Sequence, residues 1–355
     1  MSTIKAIGKT VVEKPYSIRN LPPLIVGGAV FNTQYSSDPR NLPVKEIVQL
    51  AFENGLNAID TSPYYGPSEE ILGEALSKID IPREDYYICT KAGRVKLDDF
   101  DYSRTNVRNS VLRSIKRLHA SYLDLVYMHD IEFVEEEDIL SALEELRLLK
   151  DEGLIKNFGV SGYPVKFLHK IALESTKREK IGPLDAILSY SNGCIQNTRL
   201  FESYDEFNDC GIKKLSNGSI LSMSLLRSDI THSFHPASKE LKDKVYEIAQ
   251  TLKKEHNGLE LADLATRFAL KKWLFDTIAQ KLENKNDLQW NEATSIVLGV
   301  SNVDELKTAI SCYWQVKSNL DNINEKDVEL FDKVKKLLGE EHFNEVWPSG
   351  IEGRQ

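Results

Sequence analysis

Four kinds of side chain able to move protons stand where short apolar runs stop. Asp60 ends the run from Ala58, Lys91 follows Tyr86 to Thr90, and His129 follows Leu123 to Met128. A tyrosine, Tyr64 or Tyr65, lies in the loop just beyond Asp60 and Thr61. A free phenol titrates near ~10 and is a poor base at neutral pH. A neighbouring ammonium favours the phenolate, and a carboxylate beside that ammonium holds its charge and position. A histidine can donate a hydrogen bond to a carbonyl or hydroxyl oxygen and so fix the reacting carbon. Such a set suits reversible proton transfer coupled to hydride transfer. Taken singly, each residue has an ordinary explanation: a strand-end Asp forms turns, a Lys lines a solvated rim, a His or Tyr packs. Convergence on three consecutive strand ends argues for chemistry. No metal is called for, because the seven histidines offer no ligand cluster; His232 and His235, in a loop beside Pro236, read as surface residues.

Eight strand-like runs, each followed by a helical stretch, would have to position these groups. They are Leu24 to Val30, Ala58 to Thr61, Tyr86 to Thr90, Leu123 to Met128, Asn157 to Val160, Ala186 to Leu188, Ser219 to Ser222 and Ser295 to Gly299. Among the helices, Val44 to Asn54 carries Ile47, Leu50 and Ala51 before Gly55, a residue free to take positive φ at a helix end. Arg104 to His119 places Val107, Val111, Ile115 and Leu118 on one face. Acidic Glu135 to Asp138 open another helix, and Lys150 and Gly153 close it, as the helix dipole prefers. Strict alternation implies parallel pairing through crossover units. The runs are continuously apolar, so both faces of the sheet should be buried. An open dinucleotide-binding sheet usually shows Gly-x-Gly-x-x-Gly after its first strand. No Gly-x-Gly occurs in this chain. The expected fold is therefore α/β, a (β/α)8 TIM barrel, whose active site lies at the C-terminal ends of the strands.

Composition agrees with an enzyme. Of 355 residues, 41% are hydrophobic and 28% charged, the balance of a globular protein. The 45 basic and 54 acidic residues leave a net charge of −9, which argues against a nucleic-acid partner. No apolar run approaches the ~18 to 20 residues that cross a bilayer, so no membrane partner is expected. Met1 to Asn20 is polar and mixed in charge, without a secretory pattern. Cys89, Cys194, Cys210 and Cys312 form no close pair, which disfavours a disulfide framework and suits a reducing, cytoplasmic setting. A single domain over residues 1–355 is expected, with an N-terminal extension (1–20), a surface insertion (275–294, charged from Lys281 to Asn291) and a C-terminal helix and tail (321–355). The oligomeric state stays open.

The stretch Asp60-Thr61-Ser62-Pro63-Tyr64-Tyr65-Gly66-Pro67-Ser68-Glu69 resembles the signature of the aldo-keto reductase family. Ser110 to His129, with Arg117-Leu118 and Tyr122-Leu123-Asp124-Leu125, resembles the second signature, which leads to a catalytic His. Phe158-Gly159-Val160-Ser161 and Leu298-Gly299-Val300-Ser301 resemble cofactor segments of the fifth and eighth strands. The resemblance covers roughly residues 21 to 347. It implies a catalytic set of Asp60, Tyr65, Lys91 and His129; Tyr65 is chosen because the family places its Tyr five after the Asp and directly before Gly. It implies a sugar seated against Tyr64, Tyr65 and His129. A nicotinamide cofactor would touch Gly28, Ala29, Asp60, Ser161, Gly162, Ser189, Ser222, Ser224, Leu225, Ser301, Asn302 and Glu305. Gly162 departs from the family's usual Asn, and the sixth-strand Gln has no evident equivalent, so Ser189 or Tyr190 would stand in.

Leu188-Ser189-Tyr190, Ile220 to Leu226 and Glu341 to Trp347 resemble the branch of the family that oxidises a cyclic aldose at C1 to a lactone. Such relatives feed the synthesis of ascorbate-like compounds, and D-arabinose is the foremost expected substrate. Rival readings are an aldehyde or ketone reductase and a cofactor-carrying regulatory subunit with little turnover. Family members that choose NADP place Lys or Arg after the eighth strand, where the 2′-phosphate sits. Here Gly299 to Leu306 contains Asp304 and Glu305 and no base before Lys307, so NAD is expected. Ile351-Glu352-Gly353-Arg354 resembles a protease-processing site.

Overall fold

The computed structural model describes residues 6–10, 12–229, 231–277 and 289–354. Its frame is a closed barrel of eight parallel strands: β1 (Leu24–Gly27), β2 (Ala58–Asp60), β3 (Tyr87–Ala92), β4 (Leu125–His129), β5 (Phe158–Gly162), β6 (Ala186–Tyr190), β7 (Lys214–Gly218) and β8 (Thr294–Gly299). Each strand pairs with its sequence neighbours, and β1 closes the ring on β8 with Leu24 opposite Ile296. Alternate residues divide between two cores. Ile25, Ala58, Tyr87, Cys89, Leu125, Tyr127, Ala186 and Leu188 fill the interior, and Val12, Ile18 and Leu21 of the N-terminal segment join them from below. The opposite strand face packs on the surrounding helices through residues such as Val26, Ile59, Ile88, Val126 and Val160.

The helices that matter for the site are α1 (Val44–Glu53), α2 (Ser68–Ser77), α3 (Arg104–Arg117) and α4 (Glu136–Asp151), close to the periodicity and capping read from sequence. Ser103 caps α3 by accepting the Asn106 N–H, and Gly55 after α1 takes φ +74.

Several expectations need correction. The seventh strand is Lys214–Gly218, whereas Ser219 to Ser222 forms a turn closed by a Ser222 N–H to Ser219 O bond of 2.7 Å. The apolar pair Ile220 and Leu221 imitates a strand but belongs to the turn. The true strand looks polar because its Lys214 is spent inside the molecule. That side chain is fully buried and donates to the carbonyls of Leu21 and Glu292, each at 2.9 Å. The first strand stops at Gly27, and Gly28–Val30 forms a 3-10 turn. Of the stretch taken as an insertion, Phe275 is buried against Tyr313 and Thr294 opens β8, so both flanks belong to the barrel. Residues 278–288 lie outside the described residues.

The C-terminal segment is built into the mouth of the barrel. Trp347 stacks on Tyr163 at 4.7 Å, Ile351 N–H donates to Glu132 O at 2.9 Å, and the Arg354 guanidinium lies over Phe167 while bonding Glu132 O and Val134 O. The sequence likeness to a processing site therefore falls on residues bonded to the turn after β4, with Ile351, Glu352 and Gly353 exposed to solvent.

Candidate active site

The register of the barrel explains why Asp60, Lys91 and His129 converge. On adjacent parallel strands Asp60 lies opposite Cys89, and Lys91 lies opposite Tyr127, two residues short of His129. Three neighbouring strands thus end in an acid, a base and an imidazole. The loop after β2 folds back through a Tyr65 N–H to Ser62 O bond and a positive φ at Gly66, which returns Tyr65 over the mouth.

Lys91 Nζ donates to Asp60 Oδ1 at 2.5 Å and to Thr61 O at 2.9 Å, and lies 4.9 Å from the centre of the Tyr65 ring. Lys91 and Asp60 are both buried. Burial by itself lowers the Lys91 pKa, but Asp60 and Tyr65 lift it above the ordinary lysine value, so it stays an ammonium. Burial raises the Asp60 carboxyl, and Lys91 opposes that rise. Tyr65 departs from expectation. Burial pushes its phenol up to about 12, outweighing the downward pull of Lys91, with Asp60 and Asp130 adding to the rise. The ammonium is present as expected, yet removal from water is the larger effect.

His129 meets the Tyr65 ring edge-on, with centroids 5.5 Å apart, and the Tyr64 ring at 5.7 Å. Burial, Lys91 and Arg94 hold its pKa well below the ordinary value, so the ring is neutral. Its Nδ1 lies 2.9 Å from Ser62 Oγ, which already accepts the Tyr64 N–H. The serine proton can therefore go to Nδ1, which leaves the ring proton on Nε2. Tyr102 fixes the backbone here by donating to His129 O at 2.6 Å. Neither Ser62 nor Tyr102 stood out in the sequence; the Ser62 to His129 separation gives no local signal.

Apart from Asp60 on β2, the residues expected around a cofactor lie at the C-terminal ends of β5, β6, β7, β8 and β1, one continuous arc of the ring beside the β2–β4 arc that carries the tetrad. Ser161 donates to Met128 O at 3.2 Å, and Ser189 stands beside Asn192 and the Tyr163 carbonyl. Gly162 abuts Glu132, whose Oε2 occupies the space a Cβ there would need. Gly28 serves close packing: a Cβ would fall 2.6 Å from Ser68 Oγ. Ala29 sits beside it, and its carbonyl accepts from Asn32 at 2.8 Å. After β7, Ser222, Met223 and Ser224 all take positive φ, and Ser222 Oγ is buried without a hydrogen-bond partner among the described residues. Ser224 Oγ accepts the His232 N–H, and Leu225 is buried beneath the loop.

His235, read as a surface residue, is only 2% exposed. Its Nδ1 accepts the Ala237 N–H, so Nε2 donates to Ser222 O at 2.9 Å and pins that loop. Beyond β8, Asn302 caps the following helix by accepting the Glu305 N–H, while Glu305 Oε2 accepts from Ser301 N and Oγ at 2.7 and 3.0 Å. An orphaned hydroxyl in a left-handed loop at the strand ends fits a nicotinamide dinucleotide.

The model of the aldo/keto reductase family matches residues 23–334. This chain belongs to that family. Its members are oxidoreductases that use nicotinamide cofactors. Among relatives, a D-arabinose 1-dehydrogenase of Saccharomyces cerevisiae is 46% identical over 341 residues, covering 95% of this chain and 96% of that one. An L-galactose dehydrogenase of Arabidopsis thaliana is 32% identical over 309 residues, or 86% of each chain. An aldo-keto reductase of Bacillus halodurans has a similar solved structure, with a TM-score of 0.63 at 20% identity over 92% of this chain and 96% of that one. At that identity the likeness speaks for the fold. No helix among the described residues is long and apolar enough to cross a membrane.

Proposed function

We propose that this chain is an NAD-dependent aldose 1-dehydrogenase that oxidises a cyclic sugar, D-arabinose foremost, at C1 to its lactone. The reading is carried by the buried Lys91–Asp60 pair set under Tyr65 and beside His129, in a chain similar along its length to a D-arabinose 1-dehydrogenase. A bound oxidised nicotinamide supplies the hydride acceptor. Tyr65, as phenolate, takes the proton of the C1 hydroxyl while the C1–H bond breaks with its electron pair and the carbonyl of the lactone forms. Lys91 stabilises the phenolate, Asp60 anchors Lys91, and the Nε2–H of His129 holds the sugar oxygen. Ser161, Gly162, Ser189 and the Ser222–Leu225 loop would hold the cofactor, and Glu305, already folded onto Ser301, would repel a 2′-phosphate.

Four buried cysteines without a disulfide suit a reducing compartment, and we place the enzyme in the cytoplasm. By its resemblance to aldose-oxidising relatives, we also propose that its lactone feeds the synthesis of ascorbate-like compounds. One observation favours the reverse flux at neutral pH: a phenol pushed up to about 12 is a ready proton donor for carbonyl reduction.

An aldose panel run with NAD and with NADP tests the proposal. Lactone formation should be greatest with D-arabinose and faster with NAD. Tyr65→Phe should still bind NADH and lose turnover by about 10² to 10⁴-fold. A kcat/KM for NADP at or above that for NAD overturns the coenzyme choice, and near wild-type turnover in the variant overturns the role of Tyr65.

A further inference from the structure

One ion pair in the mouth has no part in the tetrad. Gly93, at φ +100, turns the chain sharply after β3, packed so closely on Tyr102 and Met128 that a Cβ would clash with both. The turn delivers Arg94 into the mouth, where its guanidinium pairs with Asp130 Oδ2 and lies 4.0 Å over the centre of the Tyr64 ring. Phe100 and Phe133, stacked at 4.9 Å, lie 5.2 and 5.7 Å from the same guanidinium. Arg94 Nη2 is further tied to Leu97 O at 2.8 Å. The pair is thus fixed in place and largely shielded from water.

Asp130 immediately follows His129 and is held in the left-handed region, φ 57 and ψ 59. Asp takes that conformation more readily than most residues with a Cβ, and here it turns the side chain back toward His129. The turn brings Asp130 Oδ2 within 3.5 Å of His129 Nε2, the atom that holds the reacting oxygen. Arg94 donates the one hydrogen bond that reaches this carboxylate among the described residues, so acceptor capacity remains. Tyr190, at the end of β6, feels the charges of Asp130, Glu132 and Arg94. A carboxylate one hydroxyl spacing from the atom that fixes the C1 oxygen is placed for the neighbouring hydroxyl of the same substrate.

We propose that Asp130, held in position by Arg94, accepts the hydrogen bond of the hydroxyl adjacent to the reacting carbon and so selects hydroxylated substrates over plain ones. The inference rests on the proposed tetrad and deepens the aldose reading; it also reaches beyond sugars, since any α-hydroxy carbonyl compound presents the same group. A buried carboxylate that meets no hydroxyl loses its hydrogen bond without return from water, and that loss penalises the plain substrate.

The test uses two aldehydes that differ by one hydroxyl, 2-hydroxypropanal and propanal, each reduced with NADH. The wild-type enzyme should favour the hydroxylated aldehyde in kcat/KM by about tenfold or more, the worth of a hydrogen bond to a charged group. Asp130→Asn keeps the shape and can still accept from Arg94; it should cut that preference to about threefold or less. The double variant Arg94→Gln, Asp130→Asn removes both charges together, leaves no unpaired ion behind, and should do the same. A wild-type preference below threefold overturns the proposal by itself. So does an undiminished preference in either variant that binds NADH like wild type. If the preference behaves as expected while no aldose is oxidised, the aldose reading fails and this inference stands. If aldoses are oxidised and the preference does not move with Asp130, the reverse holds.

Discussion

The position of the Tyr65 phenol sets a sharp pH dependence. Burial drives it up to about 12, although Lys91 sits beside the ring. At pH 8 a phenol with that value is ionised in about one molecule in ten thousand, against about one in a hundred for an ordinary tyrosine. Oxidation needs the phenolate and reduction needs the phenol. Below the pKa, therefore, kcat/KM for D-arabinose with NAD should climb tenfold for each pH unit, or about 100-fold between pH 7 and pH 9. Reduction of an aldehyde with NADH draws on the form already filled and should stay level over the same range. A bound oxidised nicotinamide would bring a positive charge that lowers the phenol from its resting value, so the bend in the oxidation profile should fall below pH 12. Initial rates followed at the NADH absorbance, in buffers of constant ionic strength, give both profiles. His129 adds no bend in this range, because its ring is already neutral. A plateau in the oxidation profile below about pH 8 would show that Lys91, not burial, governs the phenol, and the argument would be wrong.

Two further outcomes are expected. Glu305→Gln keeps an acceptor for Ser301 and removes the charge from the turn after β8; the ratio of kcat/KM for NADP to that for NAD should rise about tenfold, the size of one screened repulsion, and an unchanged ratio counts against Glu305 as the discriminating group. Lys214→Met leaves the carbonyls of Leu21 and Glu292 without their buried donor and should cost about 2 to 4 kcal/mol, read as a lower urea midpoint; an equal or higher midpoint would mean that the amine contributes nothing to closing the barrel floor.

Much of the site could be read from the chain because it is local in sequence. Asp60, Tyr65 and Gly66 share one loop, and strand-end positions for Lys91 and His129 follow from apolar runs that stop beside them. Once strand and helix alternate without a dinucleotide glycine motif, a closed parallel barrel is the remaining solution, and it gathers those ends at one mouth. The acidic turn after β8 was also legible, since Asn302, Asp304 and Glu305 lie within one helical turn.

What sequence could not decide depends on distance and on water. Arg94 and Asp130 are 36 residues apart and meet only because β3 and β4 are neighbours in the ring. Nothing local to Lys214 signals burial; the N-terminal segment and the residues before β8 bring carbonyls to it and make burial tolerable. His235 looked like a surface residue until the loop carrying Ser222 folded onto it. The sign of the Tyr65 shift followed the same rule. Residue types predict which charges stand nearby, whereas the depth to which a phenol is withdrawn from water is a property of the whole packed mouth. Residue type and spacing therefore determined the chemistry on offer; tertiary packing alone decided which groups lost their solvent, and with it the balance between burial and charge.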